Sequence, residues 1–274
     1  MSIDDHYPLR PEQIELFRES GFVKLKDVLR AEDLELFGRE ITRLTLTLNK
    51  RTKPLAERST YDQAFVQVFN LWERSEIVRR FVLGRRLARI ATELLEVDGV
   101  RLYHDQALYK EAHGGITPAH CDQYYWPLAS DRTVTAWVPL QAVPLPMGPL
   151  AFYAGSHRSK RARDIEISDE SERNVRANMD ALGIPLIEQP FDLGEVSFHG
   201  GWTFHRARAN STAAVRAAMT VIYMDHAMKL MQPVNAHQQD DWDKWCPGAV
   251  IGKTIDTPRN PVLYHTGTHR QVEV

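Results

Sequence analysis

Thr117-Pro118-Ala119-His120-Cys121-Asp122 sets an imidazole and a carboxylate two residues apart, just behind a proline. In an extended chain residues i and i+2 project to the same side, so both side chains can reach one point. On a helix the pair would diverge by about 200°, and Pro118 disfavours a helix here. The stretch therefore reads as a strand carrying two metal-type donors on one face. A His-x-Asp step alone is common, so the reading turns on a third donor arriving from elsewhere.

Facial two-His-one-carboxylate sites take their second histidine from a distant strand. Downstream stand His157, His199, His205, His226, His237, His265 and His269. His205 is set apart by the residues on its C-terminal side. Trp202-Thr203-Phe204-His205-Arg206-Ala207 reads as a strand that runs into a turn, and Arg216 opens the next strand. With the bend centred between Asn210 and Ser211, His205 and Arg216 are equidistant from it. They should sit at the same depth, whether the two strands pair or face each other across a barrel. A guanidinium near a metal suits a dicarboxylate co-substrate, which chelates the ion at one end and accepts a bidentate fork at the other. His199 is the rival ligand, but it ends a strand before Gly200-Gly201 and lacks an arginine at matching depth.

Around this centre the chain divides into three zones within one domain, residues 1–274. Residues 1–95 are largely helical: 12–20 and 31–48 have apolar residues at helix spacing, Gly21 stops the first helix, and 22–26 alternate as a short strand. Residues 62–95 read as two further amphipathic helices broken near Gly84. From 100 to 228 short β-type runs succeed one another, clearest at 100–109, 133–140, 150–153, 195–198, 203–207 and 217–223. A charged insert at 158–180 reads as a partly helical surface excursion or lid. Residues 229–274 read as an extended C-terminal wrap. Short strands after a helical start predict an α+β, mainly β fold, an antiparallel sandwich or barrel with helices on one face.

Composition narrows the function. A 274-residue chain with 43% hydrophobic and 26% charged residues is ordinary globular protein. A net charge of −2 leaves no electrostatic footprint for nucleic acid or an anionic membrane, which favours a small-molecule partner. Cys121 and Cys246 are too few for a disulfide framework or a cysteine-based zinc site. The polar N-terminus and the lack of a long apolar run point to the cytoplasm. The 248–254 glycine stretch is one residue short of a phosphate loop, and the basic run 160–163 is offset by the acids just after it.

His120-x-Asp122, His205 83 residues on and Arg216 eleven beyond that together resemble the phytanoyl-CoA dioxygenase family. The likeness extends over nearly the whole chain. His104-Asp105-Gln106-Ala107-Leu108-Tyr109-Lys110 looks like the family's first barrel strand. Tyr124-Tyr125-Trp126-Pro127, Thr135-Ala136-Trp137 and Gly155-Ser156-His157 fall where the family has similar pieces. The resemblance implies a double-stranded β-helix (a cupin-like jelly roll), iron(II), 2-oxoglutarate and O2, and oxidation of a second substrate with release of succinate and CO2. It makes His120, Asp122 and His205 the iron ligands and Arg216 the anchor of the far carboxylate, with Gln106 and Trp137 lining the co-substrate pocket. Two positions depart from it. Ala154 replaces a loop proline, and Ala207 replaces a serine that could bond the co-substrate. Asp122 is intact, whereas halogenating relatives carry Gly or Ala there, so hydroxylation or a related oxidation is expected.

Tyr124, Tyr125, Trp126 and Trp202 are candidates for the substrate wall, and Lys110 for an anionic substrate group; each is equally at home as core packing or a solvated strand end. His157 is expected to cap a loop, and His104 and His113 to be ordinary polar residues. On the residues alone two other readings stay open. One is a 2-oxoglutarate-independent metal barrel, such as an isomerase or ring-cleaving dioxygenase, in which Arg216 grips the substrate. The other is a non-catalytic β-sandwich binding protein.

Overall fold

A computed structural model describes residues 3–267. The N-terminal zone holds α1 (Pro11–Ser20), β1 (Phe22–Leu25), α2 (Ala31–Leu48), α3 (Thr60–Ala64), β2 (Val66–Phe69), α4 (Glu76–Val82) and α5 (Arg85–Leu95). The middle zone holds β3 (Gly99–Lys110), β4 (Thr117–His120), β5 (Thr133–Pro139), β6 (Leu150–Tyr153), α6 (Asp169–Ala181), β7 (Leu186–Glu188), β8 (Val196–Gly200), β9 (His205–Ala207) and β10 (Arg216–Asp225). Last come α7 (Ala236–Trp245) and β11 (Val262–His265).

Two antiparallel sheets result. The larger runs β1-β8-β5-β10-β3-β11, with β2 also on the edge of β3; the smaller runs β4-β9-β6-β7. From β3 to β10 the chain crosses repeatedly between them, which makes the jelly roll. The larger sheet obeys the two-residue period. Val134, Ala136, Val138, Phe198, Met219 and Val221 pack against helices α2, α4 and α5 through Phe37, Ile41, Phe81 and Ile90. The alternate residues Thr135, Trp137, His199, Arg216 and Thr220 face the other way, into a cavity between the sheets. In β3 a register shift opposite Ile222/Tyr223 resets this alternation, so Leu102 packs on the helices while His104, Gln106 and Leu108 face the cavity.

Gly21 ends α1 as expected, with φ 78° in the left-handed region. A Cβ there would lie 2.4 Å from His157 Nδ1. The glycine thus lets His157 lie on the turn with its Nε2 3.2 Å from the Arg18 carbonyl, the loop-capping role expected of it.

Three segments differ from the sequence reading. The first of the two amphipathic helices expected over 62–95 does not run unbroken to Gly84: after α3 ends at Ala64, β2 pairs with β3, Val66 opposite Tyr109 and Phe69 opposite Gln106. Edge pairing wins there over a weak helical period. The 158–180 insert is partly helical, as expected, but its helix α6 also packs into the core. Ser168 caps α6, and Val175 and Met179 are buried with Ala119, Cys121 and Phe204 beside the His-x-Asp strand. Glu172 of α6 also accepts the Ala119 N–H at 2.8 Å. The C-terminal wrap contains a helix, α7, capped by Asn235. His269 lies outside the described residues.

Candidate active site

His120 closes β4, Cys121 stays extended at φ −124°, ψ 137°, and Asp122 opens a 3-10 turn. The pleat thus carries through Cys121, and His120 and Asp122 leave on one side while Cys121 enters the core. His205 opens β9 as the direct cross-strand partner of His120, ring centroids 4.3 Å apart. Asp122 Oδ1 is 3.6 Å from His120 Nε2 and 3.7 Å from His205 Nε2. All three donor atoms lie within 4.8 Å of one another. An ion bonded at about 2.1 Å holds its ligand atoms about 3–4 Å apart, so the three fit a single ion.

Both histidines are set by the same device. His120 Nδ1 lies 2.7 Å from the Pro118 carbonyl and His205 Nδ1 3.0 Å from the Thr203 carbonyl, each two residues back. Nδ1 therefore donates, and Nε2 keeps its lone pair toward the centre. Burial lowers the His205 pKa to about 3, with the neighbouring His120 adding to it, and burial lowers His120 as well. Burial also opposes ionisation of Asp122, but His205 and His199 outweigh it and hold the carboxyl below its usual range. At neutral pH the site thus offers two neutral imidazoles and one carboxylate, the protonation state that a divalent ion requires.

The second oxygen of Asp122 faces elsewhere. Thr135 Oγ1 donates to Oδ2 at 3.3 Å, and His199 Nε2 is 3.5 Å from the same atom. His199 is 1% exposed, its ring 4.6 Å from that of His205, and neither of its nitrogens has a hydrogen-bond partner among the described residues. The rival ligand of the sequence reading thus sits behind the carboxylate. One Asp122 oxygen points to the two histidines, and the other is held by the larger sheet.

The cavity has a volume of about 570 Å³. Its floor joins the triad to Gln106, Trp137 and Arg216. Arg216 is 2% exposed; Nη1 donates to the Gly148 carbonyl at 2.9 Å and Nε has no partner. Its guanidinium lies 5.4 Å from the Trp137 ring, and burial pushes its pKa down to about 10. Lys110, its cross-strand partner, is also buried, with its ammonium on the Gly115 carbonyl and the Thr117 hydroxyl. Burial, and then the charge of Arg216, lowers Lys110 to about 6. Neither group has a carboxylate partner among the described residues, and Arg216 is the one that keeps its charge at neutral pH. A buried cation without a counter-ion is costly, so this floor suits an anion.

Of the wall candidates from the sequence, Tyr125 and Trp126 line the cavity, while Tyr124, Trp202 and Lys110 do not. Tyr124 packs beside Tyr125 and His237, and Trp202 lies 4.3 Å beneath the Arg163 guanidinium. Lys110 is no solvated strand end; it is buried beside its cross-strand partner Arg216. His104, expected to be an ordinary polar residue, is instead buried in the cavity wall, 4.9 Å from the Trp245 ring and 5.7 Å from that of Phe69. Burial takes its pKa to about 4. Sequence reasoning missed Tyr61, Phe65 and Phe69 on the α3–β2 segment, and Asp240, Asp241 and Trp245 on α7. The alternation Phe65-Val66-Gln67-Val68-Phe69 was a legible strand signal for the first group.

The family model described as phytanoyl-CoA dioxygenase matches residues 17–218. The chain belongs to the phytanoyl-CoA dioxygenase family. Its members are iron(II)- and 2-oxoglutarate-dependent dioxygenases, and membership sets the class and cofactors of this enzyme. Among solved structures, the non-heme α-ketoglutarate-dependent carbocyclase SnoK from nogalamycin biosynthesis is similar at 26% identity and TM-score 0.76, over 93% of this chain and 97% of that one. The epimerase SnoN, solved with Fe3+, α-ketoglutarate and nogalamycin RO, is 26% identical at TM-score 0.76, over 92% and 98%. EctD from S. alaskensis with bound Fe shares the fold at 19% identity and TM-score 0.70, over 92% and 89%. A search of curated proteins finds no match. Among the described residues no helix is long and apolar enough to cross a membrane.

Proposed function

We propose that the chain oxidises a C–H bond of a small, ring-bearing metabolite, with iron(II) held by His120, Asp122 and His205 and 2-oxoglutarate anchored by Arg216. One observation carries this reading: a buried guanidinium without a carboxylate partner opens on the same cavity as the two-His-one-carboxylate set. A volume of about 570 Å³ falls in the small-molecule range of about 300–1,000 Å³, and the wall above the triad is largely aromatic. The similarity to SnoN, a protein solved with a natural product, agrees with such a substrate.

When bound, iron(II) with 2-oxoglutarate and O2 supplies the oxidant for the C–H bond, with release of succinate and CO2. The residues do the rest. The Pro118 and Thr203 carbonyls keep His120 and His205 in the binding tautomer. Thr135 donates to Asp122 Oδ2 with His199 beside it, which would leave Oδ1 as the oxygen offered to the metal. Arg216 takes the far carboxylate in a dry floor, Lys110 reinforces the positive field, and Gln106 and Trp137 bound the same space. Tyr125 and Trp126 present the substrate and exclude water. All three zones contribute to this wall, so we read the chain as one functional domain.

Arg216→Lys tests the anchor, because it keeps a charge and loses the fork. An anaerobic titration of the iron(II) enzyme, followed by the visible band of the chelated 2-oxo acid, should show 2-oxoglutarate binding at least about tenfold weaker. Iron binding without co-substrate should stay near wild type. Unchanged 2-oxoglutarate affinity would return Arg216 to the substrate-gripping role of a 2-oxoglutarate-independent enzyme.

A further inference from the structure

The outer cavity carries the opposite charge to its floor. Glu166, Asp240 and Asp241 line it, against one ammonium, Lys244, and one imidazole, His237. Two of the acids are matched: Glu166 lies 2.6 Å from His237 Nε2, and Asp240 accepts from Lys244 at 2.5 Å. Asp241 is not. Its carboxyl accepts the Tyr103 hydroxyl at 3.0 Å and a hydrogen bond from Trp245, and among the described residues no lysine, arginine or histidine lies within ion-pair distance.

The setting of Asp241 is aromatic. Trp245 stands one helical turn on along α7, its ring 4.9 Å from Phe69 and 4.9 Å from His104; Tyr125 and Trp126 come from the turn after the iron ligands. Ring faces and one uncompensated carboxylate form the combination that recognises an organic ammonium, by cation–π attraction and a charge-assisted hydrogen bond together. Burial raises the Asp241 pKa to about 7, so a cation seated against it would restore its ionised form.

We infer that the outer cavity is an ammonium site, and that the primary substrate is a ring-bearing amine whose cationic end docks at Asp241 while its body lies along the aromatic wall. The inference rests on reading this cavity as the substrate site. It also sets the chain apart from what its family name suggests. A coenzyme A thioester brings several phosphate charges, and Lys244, the one ammonium that lines this opening, is already paired with Asp240.

Three probes matched in shape separate charge from bulk: 1-naphthylmethylamine, 1-naphthalenemethanol and 1-naphthoate. Their dissociation constants are measured calorimetrically under nitrogen, on the metal-free enzyme and on the iron(II)–2-oxoglutarate enzyme. The amine should bind about tenfold more tightly than the alcohol in both forms, with the acid weakest. Asp241→Asn keeps an acceptor for Tyr103 and should erase the preference without moving the alcohol's constant. Equal affinity of amine and alcohol for the wild type would overturn the inference, as would a preference that survives Asp241→Asn. No turnover is needed, so failure here leaves the oxygenase reading intact. Conversely, an enzyme that prefers the amine yet binds no 2-oxoglutarate would sink that reading alone.

Discussion

The floor of the cavity rests on β3, β4, β5, β8, β9 and β10, where side chains alternate and register fixes each neighbour. The outer wall rests on α3, β2, the 158–168 segment and α7, which meet only in the folded protein. The floor carries a buried guanidinium, Arg216, without a carboxylate partner among the described residues, and Lys110 is buried beside it; the wall carries three carboxylates and one lysine. Chemistry common to a family belongs on the rigid part, and the choice of substrate on segments free to vary around it. The difference teaches where each kind of function is written: in strand register at the floor, and in tertiary assembly at the wall.

The largest effect that could break this division lies at the triad. His120→Ala, Asp122→Ala or His205→Ala should each abolish stoichiometric iron(II) binding and succinate formation, because each removes one of only three protein ligands. The check is metal content after dialysis, together with coupled succinate release. If His205→Ala keeps full iron affinity while His199→Ala loses it, the floor has been assigned to the wrong histidine.

The contrast also explains what was legible in the sequence. His120, Asp122, His205 and Arg216 could be read because period-two alternation, Pro118 and the 208–215 turn act over short stretches of chain. The same rule applied strand by strand yields an antiparallel sandwich or barrel with helices on one face, and the family resemblance narrows that to a jelly roll. Asp241 and Trp245 could not be read, since nothing local to 236–245 says that this helix closes a cavity opened by residues more than a hundred positions earlier. Lys110 failed for a related reason. Its place at a strand end was legible, but its burial depends on the Gly115 carbonyl and on the cross-strand Arg216.

A smaller effect concerns His199, which belongs to the floor without being one of the three ligands. Its Nε2 lies 3.5 Å from Asp122 Oδ2, the oxygen that accepts from Thr135 Oγ1 and faces away from His120 and His205. Partners that orient a ligand typically account for about 10–100-fold in metal affinity. His199→Phe fills the space but contributes no polar atom, so iron(II) affinity should fall within that range while the fold holds. His199→Gln should recover much of the loss. The electron paramagnetic resonance line of the nitric oxide adduct should broaden in His199→Phe as the carboxylate gains freedom. An unchanged line and an unchanged iron constant would make His199 packing alone.

The smallest effect is a pH dependence that tells the two cations of the floor apart. Lys110 is lowered to about 6 when nothing anionic lies beside it, chiefly because it is buried and then because Arg216 repels its charge. A dicarboxylate at Arg216 favours the charged lysine, so the Lys110 pKa rises on binding. Below about 6 the ammonium is charged in both states, and affinity does not depend on it. Above that, binding must take up a proton, and affinity falls with rising pH until the bound-state pKa is passed. Between pH 6.5 and 8.5 His120 and His205 are already neutral, since burial lowers both, so they contribute no slope of their own. The 2-oxoglutarate dissociation constant of the iron(II) enzyme should therefore rise across this window, by at most about tenfold per pH unit. In Lys110→Met it should be flat and, at the acid end, a few-fold weaker than wild type. A wild-type profile as flat as that of Lys110→Met would mean that the lysine does not feel the co-substrate, and that Arg216 alone makes the floor cationic.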